Sequence, residues 1–171
     1  NACGNVTLLD TATIVVQIPA VPVITSSGNL NICQGDQVTL TASSGNSYLW
    51  SNGATYAAIV VNQQGTYSVT VTYANGCSAT STAVTVNVTA LPVAGLTASG
   101  STTFCQGGNV VLNASGSGTY LWSNNATSPS ITVTQSGTYF VIVSNGSCSD
   151  TSSSVIVTVN VQFTVETLPA A

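Results

Sequence analysis

CQGDQVTLTASSGNSYLWSNGATYAAIVVNQQGTYSVTV, residues 33 to 71, decides the fold, because it recurs as CQGGNVVLNASGSGTYLWSNNATSPSITVTQSGTYFVIV at residues 105 to 143. At a constant offset of 72, 22 of 39 positions are identical, among them Cys33 and Cys105, Trp50 and Trp122, Gly65 and Gly137, and Tyr67 and Tyr139. Within each copy the apolar residues alternate: Val38, Leu40 and Ala42 face one way and Thr39 and Thr41 the other, and Tyr67, Val69 and Val71 alternate with Thr66, Ser68 and Thr70. A period of two marks strands with one buried face. Turn signals at SSGN, SNG, QQG and NGC separate them, matched by SGSG, SNN, QSG and NGSC in the second copy. The expectation is an all-β chain of small tandem β-sandwiches with six to seven strands each.

Working outward, the closing hairpin brings Cys77 and Cys148 into register at an offset of 71, and each copy then runs into a Val-rich strand, AVTVNV or SVIVTVNV. The beginning of the chain echoes this closing element, NAC followed by TATIVVQI. The chain therefore divides into the trailing piece of a preceding repeat (1–19), a full repeat (20–89) and a second repeat (90–171), which ends in a strand-like tail from Val161 to Val165. Pro19, Pro22 and Pro92 at the junctions suit short, stiff connections.

Composition excludes whole classes of function. The 171 residues include no Lys, Arg, His or Met and only four acids, Asp10, Asp36, Asp150 and Glu166. Without cations the chain cannot release counterions from phosphates, which removes nucleic acid as a partner. Anionic membrane surfaces are removed on the same ground, and no run is long and apolar enough for membrane insertion. A Ser-His-Asp triad needs His and a Ser-Lys dyad needs Lys. Asp36 aligns with Gly108 and Asp150 with Ala79, so the repeat holds neither acid in place for paired-carboxylate chemistry or a calcium site. The expectation is no enzyme, no metal and no cofactor, with the acids as solvated loop residues.

Five cysteines point to an oxidising compartment. They stand singly, with Cys33 and Cys77, and Cys105 and Cys148, about 44 residues apart, rather than in the close pairs of a zinc site. Four passes joined by short reversals would return the chain to its starting end, so Cys33 is expected to bond Cys77 and Cys105 to bond Cys148. Cys3 is left to pair outside the fragment. Such a bridge would contribute about 4 kcal/mol in the chain-entropy model, a useful staple for a core drawn from about 70 residues.

Cys33-Gln34-Gly35, VTLTAS, Tyr48-Leu49-Trp50-Ser51-Asn52-Gly53, Gly65-Thr66-Tyr67 and Asn75-Gly76-Cys77 together resemble the immunoglobulin-like repeats of large secreted surface proteins in gliding and polymer-degrading bacteria of the Bacteroidota type. The resemblance implies tandem β-sandwiches exported to the cell surface, acting as spacers or stalks in adhesins and enzymes. Gly65-Thr66-Tyr67 also looks like the tyrosine corner of immunoglobulin domains, although the antibody core cysteine two residues later is Val69 here and Val141 in the second copy. Trp50 and Trp122 fall where such sandwiches bury a Trp, so they and Tyr67 and Tyr139 are expected in the core rather than on a sugar-stacking surface. Asp10-Thr11-Ala12 resembles the Asp-Ser/Thr-apolar O-glycosylation signal of Bacteroidota, which makes Thr11 a candidate modification site. The N-glycosylation sequons at Asn5, Asn87, Asn113, Asn125 and Asn145 are no more than chance gives in so Asn- and Thr-rich a chain.

The two copies differ most at outward positions of one sheet. The first has Leu49, Ser68, Thr70 and Thr85 where the second has Leu121, Phe140, Ile142 and Ile156. A contiguous apolar patch on a β-domain marks an interaction surface, so these four are expected to be covered by another subunit or a neighbouring repeat. Lys, the usual protection of sandwich edges, is absent. The function expected is a non-catalytic structural unit of an extracellular filament or surface adhesin, partnered by copies of itself, with glycans as a further partner. The alternatives are a carbohydrate-binding or adhesive module using Tyr56 and Tyr73, or a spacer appended to a secreted enzyme.

Overall fold

The computed structural model of the chain describes residues 18–161. The strand expected before residue 18, the tail after Val161, and Cys3 and Thr11 lie outside the described residues. The chain divides into two compact units, Asn1–Thr89 and Ala90–Ala171.

In unit 1, β1 (Ile24–Ser26), β3 (Val38–Ala42) and β5 (Ala58–Val61) form one antiparallel layer in the order β1-β3-β5. The other layer comprises β2 (Asn31–Cys33), β4 (Ser47–Trp50), β6 (Gly65–Tyr67), β7 (Val69–Thr72), β8 (Ser78–Thr80) and β9 (Val84–Thr89), in the orders β2-β9-β6 and β4-β7-β8. Ser68 alone separates β6 from β7, so these two small sheets are the halves of one face. β2 runs parallel to β9, and the other pairs are antiparallel. This is an immunoglobulin-like sandwich. Unit 2 repeats it with β10 (Gly95–Ala98), β11 (Thr103–Cys105), β12 (Val110–Ser115), β13 (Thr119–Trp122), β14 (Ser130–Val133), β15 (Gly137–Tyr139), β16 (Val141–Ser144), β17 (Ser149–Thr151) and β18 (Val155–Asn160).

Alternation fills each core from both layers. Leu40, Ile59 and Val61 meet Trp50, Val69, Val71 and Val86 in unit 1, and Leu112, Ile131 and Val133 meet Trp122, Val141 and Val157 in unit 2. Trp50 and Trp122 are 2% and 1% exposed. Each indole N–H donates to a backbone carbonyl, of Tyr56 or of Ser128, at 2.8 Å. Because only that carbonyl is used, the exchange of Tyr for Ser between the copies costs the fold nothing there. The turn after each Trp needs a left-handed residue; Gly53 supplies it at φ 86° and Asn125 at φ 66°, Asn being a side chain that tolerates this region. The Tyr67 hydroxyl donates to the Gln63 carbonyl at 3.1 Å and that of Tyr139 to Gln135 at 3.2 Å, the tyrosine-corner contact. Tyr67 is buried, whereas Tyr139 is only half-buried, packed against the core rather than within it.

The mid-strand breaks are bridged by two buried serines that alternation alone does not single out. The Val69 N–H donates to Ser81 Oγ at 3.1 Å while the Ser81 N–H donates to the Val69 carbonyl, and Ser152 treats Val141 the same way. Ser152→Ala leaves the buried Val141 N–H without its acceptor and is expected to lower the stability of unit 2 by about 1–3 kcal/mol, measured as a shift in its denaturant midpoint.

The register corrects the expected cysteine pairing. β5 runs in the same direction as β4, since Ala58 lies opposite Thr41 at one end and Val61 opposite Val38 at the other. The irregular segment 51–57 therefore makes an additional return pass, so the number of passes between the cysteines is odd. Cys33 lies opposite Thr89 at the C-terminal pole of its unit, whereas Cys77 lies beyond Thr72 at the N-terminal pole. The Gly65–Thr72 run between those poles alone spans roughly 23 Å at about 3.3 Å per residue, against the roughly 4.4–6.8 Å between Cα atoms that a disulfide requires. Cys105, opposite Asn160, and Cys148, in the hairpin after β16, are separated in the same way. Cys33 and Cys148 are disulfide-bonded, and Cys105 is an exposed thiol. Neither intra-repeat bridge fits this arrangement.

Candidate functional site

The outer face of unit 2 gathers Leu121, which matches Leu49 of unit 1, and Phe140, Ile142 and Ile156, which replace Ser68, Thr70 and Thr85. Leu121 on β13 is directly opposite Ile142 on β16, and Thr138 on β15 is opposite Ile156 on β18. Phe140 stands between Thr138 and Ile142 on the same side, so the four form one strip. Ile156 is 68% and Leu121 45% exposed, and Phe140 and Ile142 are half-buried. The corresponding face of unit 1 is a ladder of hydroxyls: Thr70 and Thr80 meet at 2.9 Å, Thr72 and Ser78 at 2.9 Å, and Thr66 and Thr85 at 3.5 Å. Its hydroxyls satisfy one another across the strands, whereas the strip in unit 2 offers apolar area.

A second cluster sits at the N-terminal pole of each unit, where the β7–β8 or β16–β17 hairpin grips the incoming chain. In unit 1 the Tyr73 hydroxyl donates to the Ala20 carbonyl at 2.7 Å. In unit 2 Asn145 Nδ2 donates to the Ala90 carbonyl at 2.8 Å. There Asp150 also accepts the backbone N–H of Ala94 at 3.0 Å and of Thr151 at 2.9 Å. Asp150 is thus a structural clamp rather than a solvated loop acid, a role the sequence hides because its counterpart is Ala79. Removing it in Asp150→Ala is expected to cost unit 2 about 2 kcal/mol, the range of a hydrogen bond to a charged group; thermal denaturation beside Asp36→Ala, an exposed acid, measures it.

Among the described residues no three His, Cys, Asp or Glu side chains come together as a metal site. Every buried side-chain nitrogen and oxygen described has a hydrogen-bond partner, so no buried polar side chain is held unpaired for a substrate. Both Trp side chains are sealed in the cores. Of the tyrosines named for sugar binding, Tyr73 is engaged by Ala20, while Tyr56 is 75% exposed. The depression beside Tyr73, between the 44–46 turn and Asn75, is wide open and encloses nothing.

No protein-family model matches the chain, and neither does any curated protein sequence. Solved structures similar to it include three N-terminal domains of the bacteriophage RB49 Highly Immunogenic Outer Capsid protein (Hoc), at 20% identity and a TM-score of 0.41, covering 81% of this chain and 59% of that one. The human OSCAR ligand-binding domain is similar at 15% identity and a TM-score of 0.35, covering 81% of this chain and 98% of that one. A structure of the mouse coronavirus receptor-binding domain complexed with its murine receptor matches at 12% identity and a TM-score of 0.44, over 81% of this chain and 100% of that one. At these scores none assigns a function, and the immunoglobulin-like class rests on the strand order itself.

Proposed function

We propose that the chain is a structural repeat unit of an extracellular filament or surface-adhesin stalk, acting through shape and self-association and not through catalysis. The observation that carries this reading is the polarity of each sandwich: the chain enters beside the β7–β8 or β16–β17 hairpin and leaves at the opposite pole, at Thr89 or Asn160. Such a unit can be strung end to end. The absence of any His, Lys or Arg from the sequence supports a role without acid–base chemistry, and the disulfide-bonded cysteines support export to an oxidising compartment. No helix of the described residues is long and apolar enough to cross a membrane.

Association runs through the Leu121, Phe140, Ile142 and Ile156 strip, which packs against another copy of the chain. The triple variant Phe140→Ser, Ile142→Thr, Ile156→Thr gives unit 2 the outer face of unit 1 and leaves the core residues untouched. Sedimentation velocity over a concentration series is expected to show assembly by the native chain and at least tenfold weaker assembly by the variant, with unchanged circular dichroism. Equal assembly by both would remove the strip as the contact. The carbohydrate-binding alternative draws its support from exposed Tyr56 alone, and saturable binding on a glycan array, lost in Tyr56→Ala, would favour it.

A further inference from the structure

We infer that Asn145 is a self-modification site: the backbone nitrogen of Gly146 attacks its side-chain amide, and the aspartate or isoaspartate that results releases the hold on Ala90. The inference stands apart from the filament reading. The sequence has three Asn-Gly pairs, Asn52-Gly53, Asn75-Gly76 and Asn145-Gly146, each in a loop between strands. Asn-Gly favours this attack, because glycine sets no Cβ beside the nitrogen and lets the backbone turn. All three pairs are exposed, so access to water does not separate them. The attacking nitrogen separates them. The Gly53 N–H donates to the Trp50 carbonyl at 2.9 Å and the Gly76 N–H to the Tyr73 carbonyl at 2.9 Å, and each must give up that bond before it can lose its proton. The loop 145–148 between β16 and β17 is one residue shorter than the loop 73–77 between β7 and β8 and makes no such inner turn; among the described residues the Gly146 N–H has no acceptor. The side chains differ as well. Asn52 Oδ1 accepts the Ala54 N–H at 3.2 Å and Asn75 Oδ1 the Cys77 N–H at 3.1 Å, each closing a ring across its glycine. Asn145 is tied instead through Nδ2 to the Ala90 carbonyl, by an exposed bond of the kind that opens locally far more often than a core contact.

The step balances with water as its only co-reactant. The Gly146 nitrogen gives its proton to water or hydroxide and bonds to Asn145 Cγ; the Cγ–Nδ2 bond breaks, and Nδ2 takes up a proton and leaves as ammonia. Water then opens the cyclic imide. Addition at Cγ restores the ordinary peptide bond and leaves aspartate, whereas addition at the main-chain carbonyl carbon leaves the chain running through Cγ as isoaspartate. Either product replaces a donor with an acceptor, since a side-chain amide offers N–H groups and a carboxylate none. The Ala90 carbonyl so loses the bond it accepts at 2.8 Å, and a negative charge takes the donor's place. In unit 1 the equivalent hold on Ala20 is the Tyr73 hydroxyl, which has no such route. Unit 2 alone therefore carries a hold on its entering chain that its own backbone can undo.

The test is to age the folded native chain at mildly alkaline pH in heavy-oxygen water and map it with pepsin, because trypsin has no site. Peptides containing Asn145 are expected to exchange ammonia for labelled oxygen faster, by at least an order of magnitude, than those containing Asn52 or Asn75. In guanidinium, where the Trp50 and Tyr73 carbonyls release their glycines, the three rates are expected to converge. Equal rates in the folded chain, or Asn52 or Asn75 ahead of Asn145, would overturn the inference and leave the self-association experiment untouched. Asn145→Asp installs one product directly and tests the release. Hydrogen exchange at the Ala94 amide, whose N–H donates to Asp150 just downstream of Ala90, is expected to quicken severalfold in that variant. An Ala94 amide that exchanges at the native rate there would show that the modification leaves the entering chain held.

Discussion

Trp50→Ala is expected to destabilise unit 1 by about 4 kcal/mol, the range for removing a buried Trp, and to leave unit 2 close to native stability. The indole is 2% exposed among Leu40, Val69 and Val71, at the centre of the interior. Its N–H also closes the return pass 51–57 through the Tyr56 carbonyl, so its loss opens a cavity and removes that closing hydrogen bond. At roughly 0.05–0.15 kcal/mol per residue, a sandwich of about 70 residues has only some 3.5–10 kcal/mol in hand. One substitution therefore consumes much or all of it. Amide-resolved NMR in a denaturant series measures the effect, because Trp122 then reports unit 2 alone. Trp50→Phe, which keeps the ring in the cavity and drops the hydrogen bond, is expected to lose much less. A Trp50→Ala chain whose unit 1 melts within about 1 kcal/mol of the native one would show that this residue is not the keystone of the core.

The second large effect is expected at Gly118. Its φ of +147° belongs to the region that favours glycine, and a Cβ there would meet the carbonyl oxygen of Ser144, with the carbonyl carbon only 2.7 Å away. Both are backbone atoms of the strand paired with Thr119, so relief requires moving a strand and not a side chain. Gly118→Ala is expected to cost unit 2 about 3 kcal/mol, at the upper end for a strained backbone position, and to loosen the hairpin that holds Ala90. Gly100→Ala is the control: nothing lies within 4 Å of its added Cβ, and the stability of unit 2 is expected to change by less than about 1 kcal/mol. Equal midpoints for the two variants in guanidinium denaturation would refute the assigned backbone geometry.

Where alternation is strong the sequence tells almost everything. VTLTA, the Trp strand and GTYSVTV announce their buried faces, because a residue-by-residue period of two cannot be satisfied by a helix. The outward strip was legible for the same reason, since comparing two copies of one strand separates the conserved inside from the changed outside. The cysteine pairing was not legible, because SNGATYA carries no alternation, and its passage back along the sandwich adds a reversal that no periodicity records. Ser81 and Ser152 were hidden among many serines; only the break in the strand, where a backbone N–H needs an acceptor, gives them their place. The clamping role of Asp150 has no mark in the sequence, because its partners at Ala94 and Thr151 are backbone N–H groups with no signature in side-chain chemistry.

Electron microscopy of the assembled protein addresses the central claim most directly. A periodic fibre of stacked sandwiches, with Leu121, Phe140, Ile142 and Ile156 covered by a neighbouring copy, is the predicted image. Separate particles at every concentration tried, with those four side chains facing solvent, would contradict it.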